Sequence, residues 1–280
     1  MQAITLNNGV EMPQLGYGVF QVSPDECERC VTDAISVGYR SIDTAQAYAN
    51  EEGVGNAVRK SGIDRKEFFI TTKVWISNAG YEKAKASIDT SLRKLQTDYI
   101  DLLLIHQPFG DYYGTYRAME EAYQAGKLRA IGISNFGTDR YLDLAHFVTI
   151  KPAVNQVETH IFTQQAELQE IMKKYDTKLM SWGPLAEGKN DFFNHPTLKA
   201  IGEKYGKSVA QVALRFLAQR GIILIPKSVN KNRMAQNFSI FDFELSDEDM
   251  ATLSAIDTRQ PLIVDHRNPQ FVEMVIGWKA

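Results

Sequence analysis

The chain has 280 residues, of which 44% are hydrophobic and 23% charged, with a formal net charge of −3. This composition supports a large core and excludes an intrinsically disordered protein. The slight excess of acids argues against a nucleic-acid partner, because phosphate binding needs a basic face. No apolar run reaches the ~20 residues of a membrane span. Two cysteines and no signal-peptide pattern in residues 1–5 favour a reducing, cytoplasmic location.

The first element in the chain is a hairpin over residues 4–12, with Asn8-Gly9 as its turn. A hairpin cannot join a parallel sheet, so we expect it to cap one end of the fold. Strand and helix patterns then alternate regularly. Strands are predicted at 15–20, 39–43, 68–74, 99–106, 128–134, 153–158, 178–182 and 222–225. Helices are predicted near 24–37, 51–61, 80–95, 116–125, 138–146, 164–175 and 208–219.

This alternation predicts an α/β protein with eight strands. The strands are nearly continuous apolar runs, as at residues 100–105, which is typical of a parallel sheet covered by helices. Eight such units with right-handed crossovers close into a (β/α)8 TIM barrel. We expect one domain over residues 1–280, with the hairpin as an N-terminal cap and an extra C-terminal helix and tail. A doubly wound open sheet is the alternative.

The two cysteines form a C-x-x-C pattern, Cys27 and Cys30, within the first predicted helix. Ser23 is placed to cap that helix and Pro24 to begin it. A redox C-x-x-C normally lies at a strand-to-helix junction, and a metal site needs two further ligands. Both cysteines share a face with apolar residues, so we interpret them as core residues and expect no metal.

Polar side chains stand where the predicted strands end. They are Asp43, Lys73, His106, Ser134, Asn135, Gln156, Glu158, Trp182, Lys227 and Ser228. In a (β/α)8 barrel the active site lies at the C-terminal ends of the strands. Each residue alone also fits a hydrogen-bonded structural role, but burying polar groups without partners is costly. The whole set in register therefore indicates one site.

Four residues of this region predict acid–base chemistry on a carbonyl group: Asp43, Tyr48, Lys73 and His106. A lysine beside a phenol is expected to lower its pKa, and a carboxylate holds the lysine charged and oriented. Tyr48 is then a general acid toward a carbonyl oxygen, and a neutral His106 can hydrogen-bond the same oxygen. Such a site suits carbonyl reduction, for which a cofactor must supply the hydride.

The dinucleotide site must be found without a Rossmann fingerprint, because Gly16-Tyr17-Gly18 is not continued to G-x-G-x-x-G. The candidate is the stretch 225–237, where a strand runs into a short helix with Lys227 and Arg233. Two cations suit the 2′-phosphate of NADP better than the bare ribose of NAD, although a solvated basic patch is the alternative. Trp182 offers a flat face for nicotinamide. Ser134, Asn135 and Gln156 offer polar groups for its carboxamide.

These motifs resemble those of the aldo-keto reductase superfamily over essentially the whole chain. They are the stretches 38–45 with Tyr48, 72–75, 101–106 with Pro108, 132–136, 155–158 and 225–228. The resemblance implies a catalytic tetrad of Asp43, Tyr48, Lys73 and His106, with Tyr48 as proton donor. It also implies NADPH, preferred over NADH and bound without a Rossmann domain.

Within that superfamily, residues 181–185 and the short tail are similar to the bacterial 2,5-diketo-D-gluconate reductase group and its generalist aldehyde and methylglyoxal reductase relatives. By that similarity the substrate is bordered by Phe20, Tyr48, Trp75 and His106. The implied cofactor contacts are Gly18, Val19, Phe20, Asp43, Ser134, Asn135, Gln156, Trp182, Gly183, Leu185, Glu187, Lys227, Ser228, Val229, Asn230, Arg233, Gln236 and Asn237.

The chain also departs from the family pattern. Gln107 stands where many members have tryptophan, Asn230 where some have arginine, and Gln236 where glutamate is usual. Asn230 removes a cation, which bears on the preference for NADP. The loop from Phe109 to Thr115 and the tail are both short, so we expect an open, unselective pocket.

The sequence therefore predicts a monomeric, NADPH-dependent reductase of small carbonyl compounds. The expected substrates are aldehydes, α-dicarbonyls such as methylglyoxal, and keto-sugars such as 2,5-diketo-D-gluconate. Two alternatives belong to other classes. One is a cofactor-binding regulatory module of the channel-subunit kind, and the other is a phosphate-using isomerase or aldolase barrel with a strand-end lysine.

Overall fold

A short antiparallel hairpin precedes the main sheet in the computed structural model, which describes residues 2–278. Its strands are β1 Ala3–Thr5 and β2 Glu11–Pro13. Leu6 and Met12 are buried and pack among side chains from inside the main sheet, such as Leu102. The hairpin therefore closes one end of the fold, as predicted.

Eight parallel strands form a closed barrel. They are β3 Tyr17–Gly18, β4 Ser41–Asp43, β5 Phe69–Val74, β6 Ile100–Ile105, β7 Leu128–Ser134, β8 Val154–Glu158, β9 Lys178–Trp182 and β10 Ile223–Leu224. They lie side by side in chain order. The first and last strands join next to β3, where the Gly16 amide donates to the Leu224 carbonyl at 2.7 Å. This closure confirms the (β/α)8 barrel and excludes the open sheet.

Helices follow the strands around the outside. They are α1 Pro24–Val37, α2 Glu51–Lys60, α3 Tyr81–Leu95, α4 Tyr112–Gln124, α5 Thr138–Phe147, α6 Ala166–Lys173, α7 Pro196–Tyr205, α8 Val209–Gln219, α9 Lys231–Phe238, α10 Asp247–Ser254 and α11 Pro269–Gly277. The predictions missed α7 and α10, although Ser246 caps α10 by accepting from the Asp249 amide. Among residues 2–278, no helix is both long enough and apolar enough to cross a bilayer.

The core has an inner and an outer part. Alternate residues of β6 divide between them: Leu102 and Leu104 point into the barrel, and Leu103 faces the helices. Cys27 and Cys30 lie in the outer part with no exposed surface. Burial raises the pKa of the Cys27 thiol to about 12, so the pair contributes packing and not thiolate chemistry.

A buried carboxylate ties together the strand ends opposite the site. Asp101, near the start of β6, has no exposed surface. It accepts from the Ile70 amide at 2.9 Å, from Arg65 at 2.6 Å and from Arg129 at 2.7 Å. A buried charge is tolerated when it is paired and hydrogen-bonded in this way, and this one serves the barrel and not the catalytic end.

The barrel interior leaves no space for a side chain at Gly132. A Cβ there would lie 2.5 Å from the Val154 carbonyl oxygen and 2.9 Å from Leu104 Cδ2. We expect Gly132→Ala to lower the free energy of unfolding by about 1–3 kcal/mol, because the strands must move apart. Gly277→Ala is the control, since its added methyl would meet nothing within 4 Å. Urea denaturation that finds the two variants equally stable would contradict this packing.

Candidate active site

Four candidate catalytic residues come from three neighbouring strand ends. Asp43 is the last residue of β4, Lys73 lies in β5, and His106 follows β6 directly. Tyr48 ends a single turn of 3₁₀ helix, Gln46–Tyr48, just after β4. Because parallel strands end at the same rim of the barrel, these side chains converge on one volume.

A fully buried ion pair forms the base of the site. Lys73 Nζ lies 2.5 Å from Asp43 Oδ1 and donates to the Thr44 carbonyl at 2.8 Å. Gln156 Nε2, from the other side of the barrel, donates to Asp43 Oδ2 at 2.8 Å. Burial raises the pKa of Asp43 and lowers that of Lys73, while their mutual attraction opposes both shifts. The two charges are retained because each is paired with the other.

The Tyr48 phenol lies above this pair, with Lys73 Nζ 5.0 Å from its ring centroid. Burial raises the pKa of the phenol well above its ordinary value, and the Asp43 carboxylate raises it further. The net direction is therefore opposite to the expectation that Lys73 lowers this pKa, because burial dominates. The phenol stays protonated at neutral pH, which is the form a proton donor requires.

The His106 imidazole lies beside the phenol, edge-on at a centroid distance of 5.5 Å. It also meets the Trp75 ring edge-on at 5.0 Å. Burial lowers its pKa well below the usual value, and the Lys73 charge acts in the same direction. Its buried Nδ1 finds no hydrogen-bond partner among residues 2–278. A buried polar atom without a partner is unusual and is found at functional sites.

These groups open onto a cavity of about 550 Å³, a volume typical of small-molecule sites. All four predicted substrate residues line it, and Phe20 packs on Tyr48 with a centroid distance of 5.1 Å. Lys73 does not line the cavity, because it lies beneath Asp43 with no exposed surface. The lysine therefore acts on the phenol from below.

One side of the cavity carries the residues predicted to hold nicotinamide. Asn135 has a left-handed backbone (φ 66°), and its Oδ1 accepts from Trp182 Nε1 at 2.8 Å. Its Nδ2 donates to the His106 carbonyl at 3.0 Å. Asn135 thus fixes the indole plane relative to His106. Ser134 and Gln156 lie next to it on the same rim.

The other predicted cofactor residues divide into two groups. The cavity is also lined by Gly18, Gly183, Leu185, Glu187 and Lys227. The loop after β10 and helix α9 carry Ser228, Val229, Asn230, Arg233, Gln236 and Asn237. Val19 is not brought to the cavity, because its side chain is buried in the outer core.

The local structure gives two of these positions a further role. Gly18 is required by barrel closure, since a Cβ there would lie 2.9 Å from the Ile225 carbonyl oxygen. Asn230 caps α9, with its Oδ1 accepting from the Arg233 amide at 3.1 Å. Asn230, at a position where some family members have arginine, thus stabilises the start of the helix that carries Arg233.

The tail contributes residues that the sequence predictions did not include. Phe271, Met274 and Val275 line the cavity from α11, together with Trp278, which follows the helix. Trp75 Nε1 donates to the Trp278 carbonyl at 2.9 Å. Their spacing of i, i+3, i+4 and i+7 is a helical stripe that was visible in the sequence. This helix therefore borders one side of the cavity.

Gln107, at a position where many family members have tryptophan, connects the tail to the rim of the barrel that carries the candidate catalytic residues. Its Oε1 lies 2.8 Å from Nε2 of His266, which also lines the cavity. Burial lowers the pKa of His266 to about 4, so the imidazole is neutral near pH 7. A tryptophan at position 107 could not accept this hydrogen bond.

Comparisons with known proteins agree on one family. The model of the Aldo/keto reductase family matches residues 12–258. Glyoxal reductase from Bacillus subtilis (strain 168) is 48% identical over 256 residues, 91% of this chain and 92% of that protein. MGS-M4, an aldo-keto reductase from a Medee basin deep-sea metagenome library, has a TM-score of 0.92 and 41% identity, covering 95% and 98% of the two chains. The Bombyx mori aldo-keto reductase in complex with NADP has a TM-score of 0.89 and 35% identity, covering 94% and 95%.

The neutral His106 makes stability depend on pH. Its folded pKa lies well below the ordinary 6.5, so below that pH the unfolded chain binds a proton that the folded chain does not. Stability therefore falls as pH drops, by at most about 1.4 kcal/mol per pH unit for this group. When the pH is lowered from 7 to 5, the free energy of unfolding should fall by about 1–2 kcal/mol less in His106→Gln than in the wild type, as measured by urea denaturation. Exposed His146 provides the control, His146→Gln; an unchanged pH dependence in His106→Gln would refute the assignment.

Proposed function

This chain belongs to the aldo/keto reductase family and is an NADP(H)-using oxidoreductase of small carbonyl compounds; within that activity, we propose that Tyr48 is the proton donor and that NADPH is preferred over NADH. The observation that carries the proposal is the half-buried, protonated phenol between a neutral imidazole and an ion pair. NADPH supplies the hydride when bound. Every other step falls to the side chains of the cavity.

Tyr48 acts where charge develops on the substrate oxygen. As the carbonyl carbon gains hydride, its oxygen becomes an alkoxide and takes the proton of Tyr48 Oη, leaving an alcohol and a phenolate. The Lys73 ammonium, 5.0 Å from the ring centroid, stabilises that phenolate until the proton is replaced. Asp43 keeps the lysine charged at a depth where burial alone would favour its neutral form.

The neutral His106 orients the carbonyl oxygen toward the phenol. An uncharged ring hydrogen-bonds the oxygen without competing with Lys73 for the developing negative charge. The Trp75 and Tyr48 rings hold the imidazole edge-on from two sides. This arrangement places the oxygen between a donor that gives its proton and a group that only aligns it.

The structure disfavours the aldolase alternative for this site. An imine-forming lysine must reach the substrate with a free amine. Lys73 Nζ is instead bonded to Asp43 and to the Thr44 carbonyl, and its side chain has no exposed surface. Its position supports an electrostatic role.

The cavity walls favour aldehydes and α-dicarbonyls over keto-sugars. The aromatic rings of Phe20 and Trp75 and the apolar face of α11 surround the space next to Tyr48. Hydroxyl groups of a sugar would be desolvated there with few partners. The similarity to a protein named glyoxal reductase supports small dicarbonyls as one substrate class.

The preference for NADPH rests on Lys227 and Arg233. Both are exposed, on the loop after β10 and on the first turns of α9. A guanidinium and an ammonium that converge on a phosphate give charge-assisted hydrogen bonds, which a ribose hydroxyl cannot match. The proposal is that they hold the 2′-phosphate.

Tyr48→Phe tests the proton donor. We expect kcat to fall roughly 10²–10⁴-fold, while NADPH binding, followed by its fluorescence, stays nearly unchanged because the ring is kept. The matched control is Tyr116→Phe, which removes another buried hydroxyl, one that donates from α4 to the Ile150 carbonyl at 3.0 Å. Unaltered kcat in Tyr48→Phe would rule out this role.

Lys227→Ala and Arg233→Ala test the phosphate contact. Each is expected to weaken NADPH binding roughly 10- to 100-fold and NADH binding far less, because only NADPH carries the 2′-phosphate. Lys231→Ala is the control, since that lysine of α9 lies 4.0 Å from Asp33. Equal losses for both cofactors, measured by fluorescence titration, would count against this site.

A further inference from the structure

Glu158 ends β8 at the catalytic rim but takes no part in the proposed chemistry. Its side chain is buried, with a relative exposure of 4% for the residue. Its carboxylate accepts from three successive backbone amides of the tail: Leu262 at 2.7 Å, Ile263 at 2.9 Å and Val264 at 3.0 Å. Consecutive amides that enclose an anion form a strong, charge-assisted contact.

The same carboxylate has a fourth partner, the ring of His160. His160 Nδ1 accepts from the Phe162 amide at 3.2 Å, so the ring proton lies on Nε2 and is directed to Glu158 Oε1 at 3.1 Å. These hydrogen bonds outweigh burial and lower the pKa of Glu158. The group is therefore an anion at neutral pH whose partners are neutral donors.

The segment held by Glu158 borders two cavities, and its Leu262 side chain packs against the outer core. Behind residues 259–267 lies a second cavity of about 880 Å³, bordered by the starts of α5 and α6. On its other side the segment meets the active-site cavity, where Ile263 Cδ1 would lie 3.0 Å from a Cβ added at Gly183. The segment thus spans two cavities, and its amide contacts with Glu158 connect it to the barrel.

The tail beyond Val264 forms the substrate side of the active site. His266 reaches Gln107, and α11 places Phe271, Met274 and Val275 on the cavity wall. The next hydrogen bond between the tail and the barrel is donated by Trp75 Nε1 to the Trp278 carbonyl. The wall is therefore a stretch of tail that is hydrogen-bonded to the barrel at its two ends and at His266, with Val275 packed against Trp75 and Phe109 between them.

We propose that Glu158 is a positioning residue that holds residues 262–264 and thereby sets the tail as the substrate-side wall of the cavity. The kinetic effect that we expect from this inference rests on the proposed carbonyl reduction. A substrate that fills the cavity contacts the wall over a larger area than glyoxal does beside Tyr48. Glu158 consequently governs discrimination by size and not the chemical step.

Glu158→Gln tests the proposal with two aldehydes of different size. The carboxamide replaces one acceptor oxygen by an NH₂ group, which cannot accept from an amide. We expect kcat/KM for 2-naphthaldehyde to fall roughly tenfold through KM, while the values for glyoxal and the affinity for NADPH stay within about twofold. Asp101→Asn is the matched control, since it alters a buried carboxylate at the opposite end of the barrel. Equal losses for both aldehydes, as from general destabilisation, would overturn the proposal.

Hydrogen exchange tests the same contact without using activity. In the wild-type enzyme the amides of Leu262, Ile263 and Val264 should be protected although they lie outside regular secondary structure. In Glu158→Gln they and the α11 amides should exchange roughly 100-fold faster, with the barrel strands unchanged. Fast exchange of the three amides in the wild type would overturn the proposal even if the variant does not fold. A wild-type enzyme that reduces neither aldehyde, yet protects these amides, would instead count against the proposed function.

Discussion

The buried contact between Asp43 and Lys73 is the constraint on which the catalytic end of the barrel depends. Two charges with almost no exposed surface persist only if each stays within reach of the other. Their partners come from separate strands: Asp43 from β4, Lys73 from β5, and Gln156 from β8 across the barrel. Register errors in any of these strands would leave a buried charge unpaired. The contact therefore penalises misfolded arrangements of the barrel.

The pair also explains why residue chemistry alone gave the wrong direction for the Tyr48 pKa. A lysine beside a phenol stabilises phenolate, but burial of Tyr48 is the larger effect and raises its pKa, and the Asp43 carboxylate acts in the same direction. The sequence supplies the residue types, whereas the direction of the pKa shift depends on distances and depth that only the fold defines. A raised pKa keeps the phenol protonated at neutral pH, as the proposed proton donor requires.

The clustering of the residues at the strand ends was predictable, because the C-terminal ends of all strands in a parallel barrel lie at the same rim. Asp43, Lys73 and His106 could therefore be placed together from the sequence. The order of strands followed from regular alternation, although β3 is only Tyr17–Gly18 where residues 15–20 were predicted. The position of the C-terminal tail against the cavity was not predicted from the sequence. Its residues contact the cavity through α11, whose position depends on hydrogen bonds to Trp75, Gln107 and Glu158. Contacts between residues more than a hundred positions apart leave no local pattern in the sequence from which they could be predicted.

One strand links the catalytic pair to the substrate wall. Side chains alternate along β8, so Gln156 and Glu158 lie on the same face two residues apart. Gln156 fixes Asp43, and Glu158 fixes the tail. On the two proposals, the ion pair and the substrate wall are both positioned from β8, but the wall itself is a separate stretch of chain. Changes in that stretch are expected to alter which carbonyl compounds fit while the ion pair stays in place, because the stretch is hydrogen-bonded to Glu158 and the ion pair to Gln156.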